Sequence, residues 1–153
     1  MWERLRRFSA LERPARVLFV RAAAVLPLIS LSLRLRGFRK TQAFLQKFLS
    51  LPSYSTDTSA SSRADLTVRM VRAAVRNSLG HPTCLDESMT LWWLLERQGI
   101  GAELKVGVRK DGEKFEAHAW VERDGVALNE PESKHKHFAA FDAALASLPP
   151  EPR

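Results

Sequence analysis

From Arg63 onward, apolar residues recur at helical spacing. Leu66, Met70, Val71, Ala74, Val75 and Leu79 share one side of that helix, while Arg69, Arg72 and Arg76 face away. Ser61 or Ser62 suits the N-cap, Gly80 suits the left-handed position past the end, and Pro82 blocks continuation. A second helix is expected over about residues 83–98, with Thr83 as N-cap, Asp86 and Glu87 in the first turn, Arg97 in the last and Gly99 at the stop. Cys84, Ser88, Leu91 and Leu95 fall on one face of it, and Trp92, Trp93 and Leu94 spread the apolar band around nearly the whole circumference. A helix of that kind is buried at the centre of a domain.

After Gly101 the period changes to two. Ala102, Leu104, Val106 and Val108 alternate with Glu103, Lys105 and Arg109. A second strand over 115–122 puts Phe115, Ala117, Ala119 and Val121 on one face and Glu116, His118, Trp120 and Glu122 on the other. Arg123, Asp124 and Gly125 turn the chain into a third short strand over 126–130, which Pro131 ends. A loop, a short helix over about 141–148 and a proline-rich tail follow. Helices followed by a small antiparallel sheet define an α+β fold.

Upstream the pattern is different. AAAVLPLISLSL, residues 22–33, is an uncharged run bounded by Arg21 and Arg34 and interrupted by Pro27. It is shorter than the ~20 residues that span a bilayer. It also begins too late for a signal peptide and lacks a small-residue cleavage site. Neither a cleaved signal nor a true span is expected. The alternatives are basic, apolar helices that pack on a partner or a membrane surface, or helices that complete the domain's own core. Residues 50–62 are rich in Ser and Thr without an apolar period, which indicates a flexible connection. The expected organisation is a basic helical segment over 1–50, a linker over 51–62 and a compact core over 63–153.

Charge sharpens that division. Residues 1–50 hold eleven Lys/Arg against Glu3 and Glu12 (+9), while the rest carries −2 of the formal net charge of +7. The basic character belongs to one segment, unlike that of a uniformly basic nucleic-acid module, and no nucleic-acid partner is expected. Trp92, Trp93 and Trp120 lack the basic company of a base-stacking platform. His135 and His137 sit among lysines, which repel a cation, and are expected to be surface residues rather than metal ligands. One cysteine, Cys84, excludes an internal disulfide and a cysteine-rich zinc site, and a lone thiol is best tolerated in a reducing cytoplasm.

The chemistry centres on Cys84. A thiol in the first turn of a helix lies in the field of unpaired backbone N–H groups, which favours thiolate and can hold a substrate oxyanion. A cysteine nucleophile also needs an imidazole and a third group that orients it. His118 is the candidate base, because it lies inside a strand between apolar neighbours. Turn geometry selects the orienter. A three-residue loop of Arg123, Asp124 and Gly125 sets Glu122 opposite Val126 and His118 opposite Glu130, close enough for a hydrogen bond. A two-residue Asp124-Gly125 turn instead gives His118 the same face as Asn129. The three-residue loop is favoured, with Glu130 as orienter and Asn129 as the fallback. Each residue has a plainer role open to it: Cys84 as a buried small side chain, His118 as a structural group, Glu130 as a solvated strand end.

These residues also carry a family likeness. The run CLDESMTLWWLLERQGIGAELKVGVRKDGEKFEAHAWVERDGVALNE resembles the transglutaminase-like leader peptidases of lasso-peptide biosynthesis. The shared features are a Cys-Leu helix start, an Arg-x-Gly stop, a Gly-Val-Arg strand, a His-Ala-Trp-Val-Glu strand and a short acidic-ended strand. FAAFDAAL, residues 138–145, is similar to the family's tail, and the likeness covers about residues 63–146. The resemblance implies a papain/transglutaminase-like core with a triad in which Cys84 is the nucleophile, His118 the base and Glu130 the acid. The family usually has aspartate at that third place. It further implies a cytoplasmic cysteine peptidase that removes the leader of a ribosomally made precursor before an asparagine-synthetase-like cyclase closes the macrolactam. No metal, nucleotide or other cofactor is implied. The helical N-terminal part leaves no room for a fused winged-helix-like element, so a separate leader-recognition protein is implied as partner. The basic helices of residues 1–50 are then available to dock that partner, the cyclase or a membrane surface.

Two rivals share the same residues. A thioester-forming acyltransferase or transglutaminase uses the same triad with an amine in place of water. A non-catalytic docking subunit of a peptide-maturation complex uses the basic N-terminal half and leaves Cys84 as packing.

Overall fold

The computed structural model describes residues 10–49, 59–111, 114–131 and 139–140. Helix α1 runs Arg13–Gln46, α2 Ser59–Asn77 and α3 Cys84–Glu96. Strands β1 Glu103–Asp111, β2 Lys114–Arg123, β3 Val126–Ala127 and β4 Ala139–Ala140 form one antiparallel sheet in the order β3-β2-β1-β4. The fold is α+β, as the change from helical to two-residue period anticipates. His135, His137 and the helix expected over 141–148 lie outside the described residues.

Helix α3 is the buried centre. Met89, Leu91 and Leu95 are fully enclosed, and Trp92 and Leu94 nearly so. Its start is set by Thr83, whose hydroxyl accepts from the Asp86 backbone N–H at 3.2 Å while the Asp86 carboxylate accepts from the Thr83 N–H at 2.7 Å. Its end is set by Gly99 at φ +68, where Ile100 and Gly99 donate back to the carbonyls of Leu95 and Glu96, both at 3.0 Å. The buried Ile100 then closes the apolar face.

Helix α2 starts at Ser59, so residues 59–62 of the expected linker are helical; residues 51–58 lie outside the described set. Its packed face is Ala60, Ala64, Thr67, Val68, Met70, Val71 and Ala74. Leu79 is fully exposed, and Gly80 does not adopt the left-handed conformation expected of it. The helix has already ended at Asn77, whose side-chain amide donates to the Ala73 carbonyl at 2.7 Å. The Ser78 hydroxyl likewise donates to the Val75 carbonyl at 2.8 Å. The Ser78 backbone N–H also donates to the Val75 carbonyl at 3.2 Å, so the helix closes at Ser78 without a glycine cap.

Helix α1 is two arms joined at Gly37, where φ +73 and ψ 175 break the helix. The arms fold back on each other: Ser32 and Thr41 hydroxyls are 3.0 Å apart, and the Arg36 guanidinium lies 5.1 Å from the Phe44 ring centroid. A straight helix would separate residues nine apart by about 13 Å. Ala22, Leu26 and Ile29 on the first arm and Leu45 on the second are buried; Ala22, Ile29 and Leu45 join the same core as Val71, Leu91 and Leu95. Trp93 Nε1 donates to the Leu45 carbonyl at 3.3 Å, which ties the second arm to α3. One face of the N-terminal helices therefore completes the domain's core.

The backbone at Gly37 lies in a region open essentially to glycine alone, and a Cβ placed there meets nothing within 4 Å. Any cost of substitution is thus conformational rather than steric contact. Gly37→Ala is expected to lower the unfolding free energy by about 1–3 kcal/mol in a urea titration. An unchanged midpoint would show that the two arms do not turn through this conformation.

Candidate active site

The turn between β2 and β3 is the two-residue one. Asp124 and Gly125 both have positive φ, 51 and 76, and Arg123 pairs with Val126 and Glu122 with Ala127. The favoured three-residue loop is therefore corrected. Asp-Gly is itself the dipeptide for a turn with two left-handed positions, which matches strand twist better than a looser loop.

That register by itself would set Glu130 opposite Ala119, on the face away from His118. The chain does not keep it. After Leu128 donates to the Val121 carbonyl at 2.8 Å, residues 128–130 bend and the expected strand over 126–130 stops at Ala127. Two side chains replace the missing ladder. Asn129 Oδ1 accepts the Val121 N–H at 2.8 Å, where a strand carbonyl would have done so. Ser88 Oγ donates to the Ala119 carbonyl at 2.9 Å. Carbonyls two residues apart in a strand point to the same edge, so Ala119 is reached from the side that β3 vacates. Asn129 Nδ2 donates to Ser88 Oγ at 2.9 Å and joins the two replacements. Ser88 and Asn129 are both buried.

Freed from the ladder, Glu130 brings Oε1 to 2.9 Å from His118 Nε2. Both side chains are largely enclosed, at 10% and 13% exposure, which strengthens their interaction relative to a surface pair. The other flank of the imidazole is set by Trp120, nearly parallel at 17° with centroids 6.2 Å apart. Trp120 Nε1 in turn donates to Glu122 Oε1 at 2.7 Å. Asn129, the alternative orienter, holds Ser88 and β2 instead of the imidazole.

Cys84 is a free, partly buried thiol in the first turn of α3. It lies one turn before Ser88 on the same helix face, and Ser88 touches the residue next to His118. The Ser88–Asn129 link thus carries the helix start to the β2 edge where His118 and Glu130 meet. Helix spacing places Cys84 on this side; the contact within the candidate triad that the structure measures is the one between His118 and Glu130.

Glu87, one residue before Ser88, belongs to the same cluster. Burial pushes its carboxyl above the usual range; Arg72 opposes this, Glu130 adds to it, and Arg76 and His118 oppose it more weakly. The sequence marked Glu87 only as a first-turn acid and Ser88 only as a face-mate of Cys84. The available signal was a serine at the centre of an otherwise apolar face, a position that requires a partner. Among the described residues, no group of three or more His, Cys, Asp and Glu is placed to hold a metal. Beside the site, an apolar groove of about 610 Å³ between α1 and residues 77–82 ends at Pro82, two residues before the thiol.

Ser88→Ala leaves the Ala119 carbonyl and the Asn129 amide buried without this partner. It is expected to destabilise the protein by about 1–3 kcal/mol. Combined with Asn129→Ala, the loss should be smaller than the sum by at least ~0.5 kcal/mol, as measured by a double-mutant cycle in urea. Strict additivity would mean that the two side chains do not act as one link. Glu87 gives a pH prediction. Its folded form holds a proton more tightly than its unfolded form, so its contribution is fully present at acid pH and is lost as pH rises through the folded value. Thermal melts of Glu87→Gln against the original protein should therefore show the variant gaining relative stability from acid towards neutral pH. A flat difference would remove burial as the dominant cause.

Searches of curated proteins and of solved structures return no match. A family model described as the transglutaminase-like superfamily matches residues 25–141, beginning inside α1 and running through β4. Catalytic cysteine enzymes, among them peptidases and acyltransferases, make up much of this group. With most of its length matched and its cysteine at the start of a helix docked on an antiparallel sheet, the chain belongs to the transglutaminase-like superfamily.

Proposed function

We propose that the chain is a cysteine peptidase that removes the leader from a ribosomally synthesised lasso-peptide precursor. The observation that carries the catalytic part is the enclosed His118–Glu130 contact beside the helix that starts with Cys84. The lasso-peptide assignment rests on the sequence likeness over residues 63–146.

In this mechanism Cys84 attacks the carbonyl at the leader–core junction as a thiolate, and N–H groups of the α3 start hold the oxyanion. Because Glu130 meets Nε2, the proton is exchanged at Nδ1 of His118. The imidazolium protonates the leaving amine, which departs with the core peptide, and leaves the leader as a thioester on Cys84. Neutral His118 then takes a proton from water as it attacks the thioester, releasing the leader carboxylate and restoring the thiol. Glu130 holds the ring and offsets its positive charge. The glutamate carboxylate reaches Nε2 at contact distance despite being one methylene longer than the aspartate usual in the family. The groove ending at Pro82 is suited to apolar side chains of the substrate next to the scissile bond. A separate leader-recognition protein presents the precursor, an asparagine-synthetase-like cyclase takes the freed core, and the reaction runs in the cytoplasm without metal or nucleotide.

Alkylation of Cys84 by iodoacetamide across pH tests the site without a substrate. Fast labelling that persists well below the free-thiol midpoint of about 8.5, and is lost in His118→Ala, is expected. Slow labelling in both proteins would leave Cys84 as packing and favour a docking subunit. With a precursor, Cys84→Ala should abolish cleavage and Glu130→Gln should lower kcat by about 10²–10⁴-fold. Product masses decide the acceptor: a free leader carboxylate means peptidase, whereas an adduct with added amine means acyltransferase.

A further inference from the structure

Helix α1 is apolar on two opposite faces, and only one of them is used by the core. Val17, Val20, Leu28, Leu31 and Leu35 are all exposed, Leu35 by 74% and Leu28 by 66%. At 100° per residue, these five fall within an arc of about 80°, opposite the buried Ala22, Leu26 and Ile29, and extend for about 27 Å. Such a continuous exposed seam is unusual for a surface helix, which normally turns charged residues outward.

The charge around the seam has one sign. Between Arg13 and Gln46 there is no Asp or Glu, whereas Arg13, Arg21, Arg34, Arg36, Arg39 and Lys40 flank the seam or close its end. A protein-binding face is expected to carry aromatic anchors and a rim of mixed polarity. Here the five seam residues are aliphatic and the rim is cationic. The exposed aromatics Phe44 and Phe48 lie on the second arm, in a shallow groove that they share with Leu28, while Leu31 borders the groove beside residues 77–82. Long basic side chains beside an aliphatic ridge fit a surface with an apolar interior and a layer of negative charge. The composition of α1 is long and apolar enough to cross a membrane, but Ala22, Leu26 and Ile29 are committed to the protein core and Gly37 breaks the helix. An in-plane position is the one compatible with both.

We propose that the outer face of α1 binds the surface of an anionic phospholipid bilayer, with the seam of Val17, Val20, Leu28, Leu31 and Leu35 in the acyl boundary and the arginines at the phosphates. The proposal does not depend on the peptidase reaction. It places the catalytic domain against a membrane, held by the helix that also packs behind α3.

The test is co-sedimentation of the full chain with vesicles of phosphatidylcholine alone and of an equimolar mixture with phosphatidylglycerol. Binding to the anionic vesicles at least ~10-fold tighter than to the neutral ones, and weakened by salt, is expected. Val17→Glu/Val20→Glu/Leu35→Glu should abolish it, and Arg21→Gln/Arg39→Gln/Lys40→Gln should weaken it several-fold. Both variants alter exposed residues, so circular dichroism and the Cys84 alkylation rate should be unchanged. No binding to anionic vesicles overturns the proposal. So does binding that survives the triple Glu substitution. Concentration-dependent self-association in sedimentation velocity, lost in that variant without vesicle binding, would instead assign the seam to a contact between copies.

Discussion

The hydrogen bond from Ser88 to the Ala119 carbonyl is the contact on which the rest of the site depends. It joins the first turns of α3 to the edge of β2, across an interface whose buried apolar side chains are by themselves indifferent to small shifts in register. Asn129 makes the bond specific. Its amide donates to Ser88 and its carbonyl oxygen takes the Val121 N–H, so serine, asparagine and two backbone groups are satisfied together. A buried network of this type tolerates one arrangement, because a displaced member leaves polar atoms without water or a partner. Apolar residues at both positions would pack, but they would not say where the helix start must lie along the strand.

The support behind that link comes from the N-terminal helices. Ala22, Ile29 and Leu45 of α1 share a core with Val71 of α2 and Leu91 and Leu95 of α3. The far end of α3 is tied on two sides, through Trp93 to Leu45 and through Gln98, whose amide donates to the Thr67 hydroxyl at 3.0 Å. A helix held this firmly at its C-terminal end can present its N-terminal end with little freedom, which is what a nucleophile-bearing first turn needs. The family match begins at residue 25, so part of this support lies within the family's own domain.

Much of this was legible in the sequence because it is local. The Thr83 cap, the Gly99 stop and the two-residue alternation across β1 and β2 depend on neighbours a few positions away. Gly80 and Leu79 misled, because Ser78 closes the end of α2 on the Val75 carbonyl before the glycine is reached. Glu130 is the instructive position. Opposition across a three-residue loop selected it, and the turn has two residues, yet Glu130 still reaches His118. A pairing register propagates only while the ladder lasts. Here Asn129 and Ser88 end it, and Ser88 is 41 positions away in the chain. No short-range rule contains that interruption. A lone serine in the buried stripe of α3 was its only trace.

Electrostatics extends the site one element further than its contacts do. Two carboxyl groups, Glu87 and Glu130, stand near one imidazole, and burial makes two full negative charges there unfavourable. Burial is the main push on Glu87 towards its neutral form, and the neighbouring Glu130 adds to it. Opposing that push are Arg72 and Arg76, both exposed on α2, which on periodicity alone are no more than a solvated face. Their spacing of four residues aligns them on one side of the helix, so both act on Glu87 together. The charge beside His118 is therefore set jointly by the burial of one helix start and by the arginines of its neighbour.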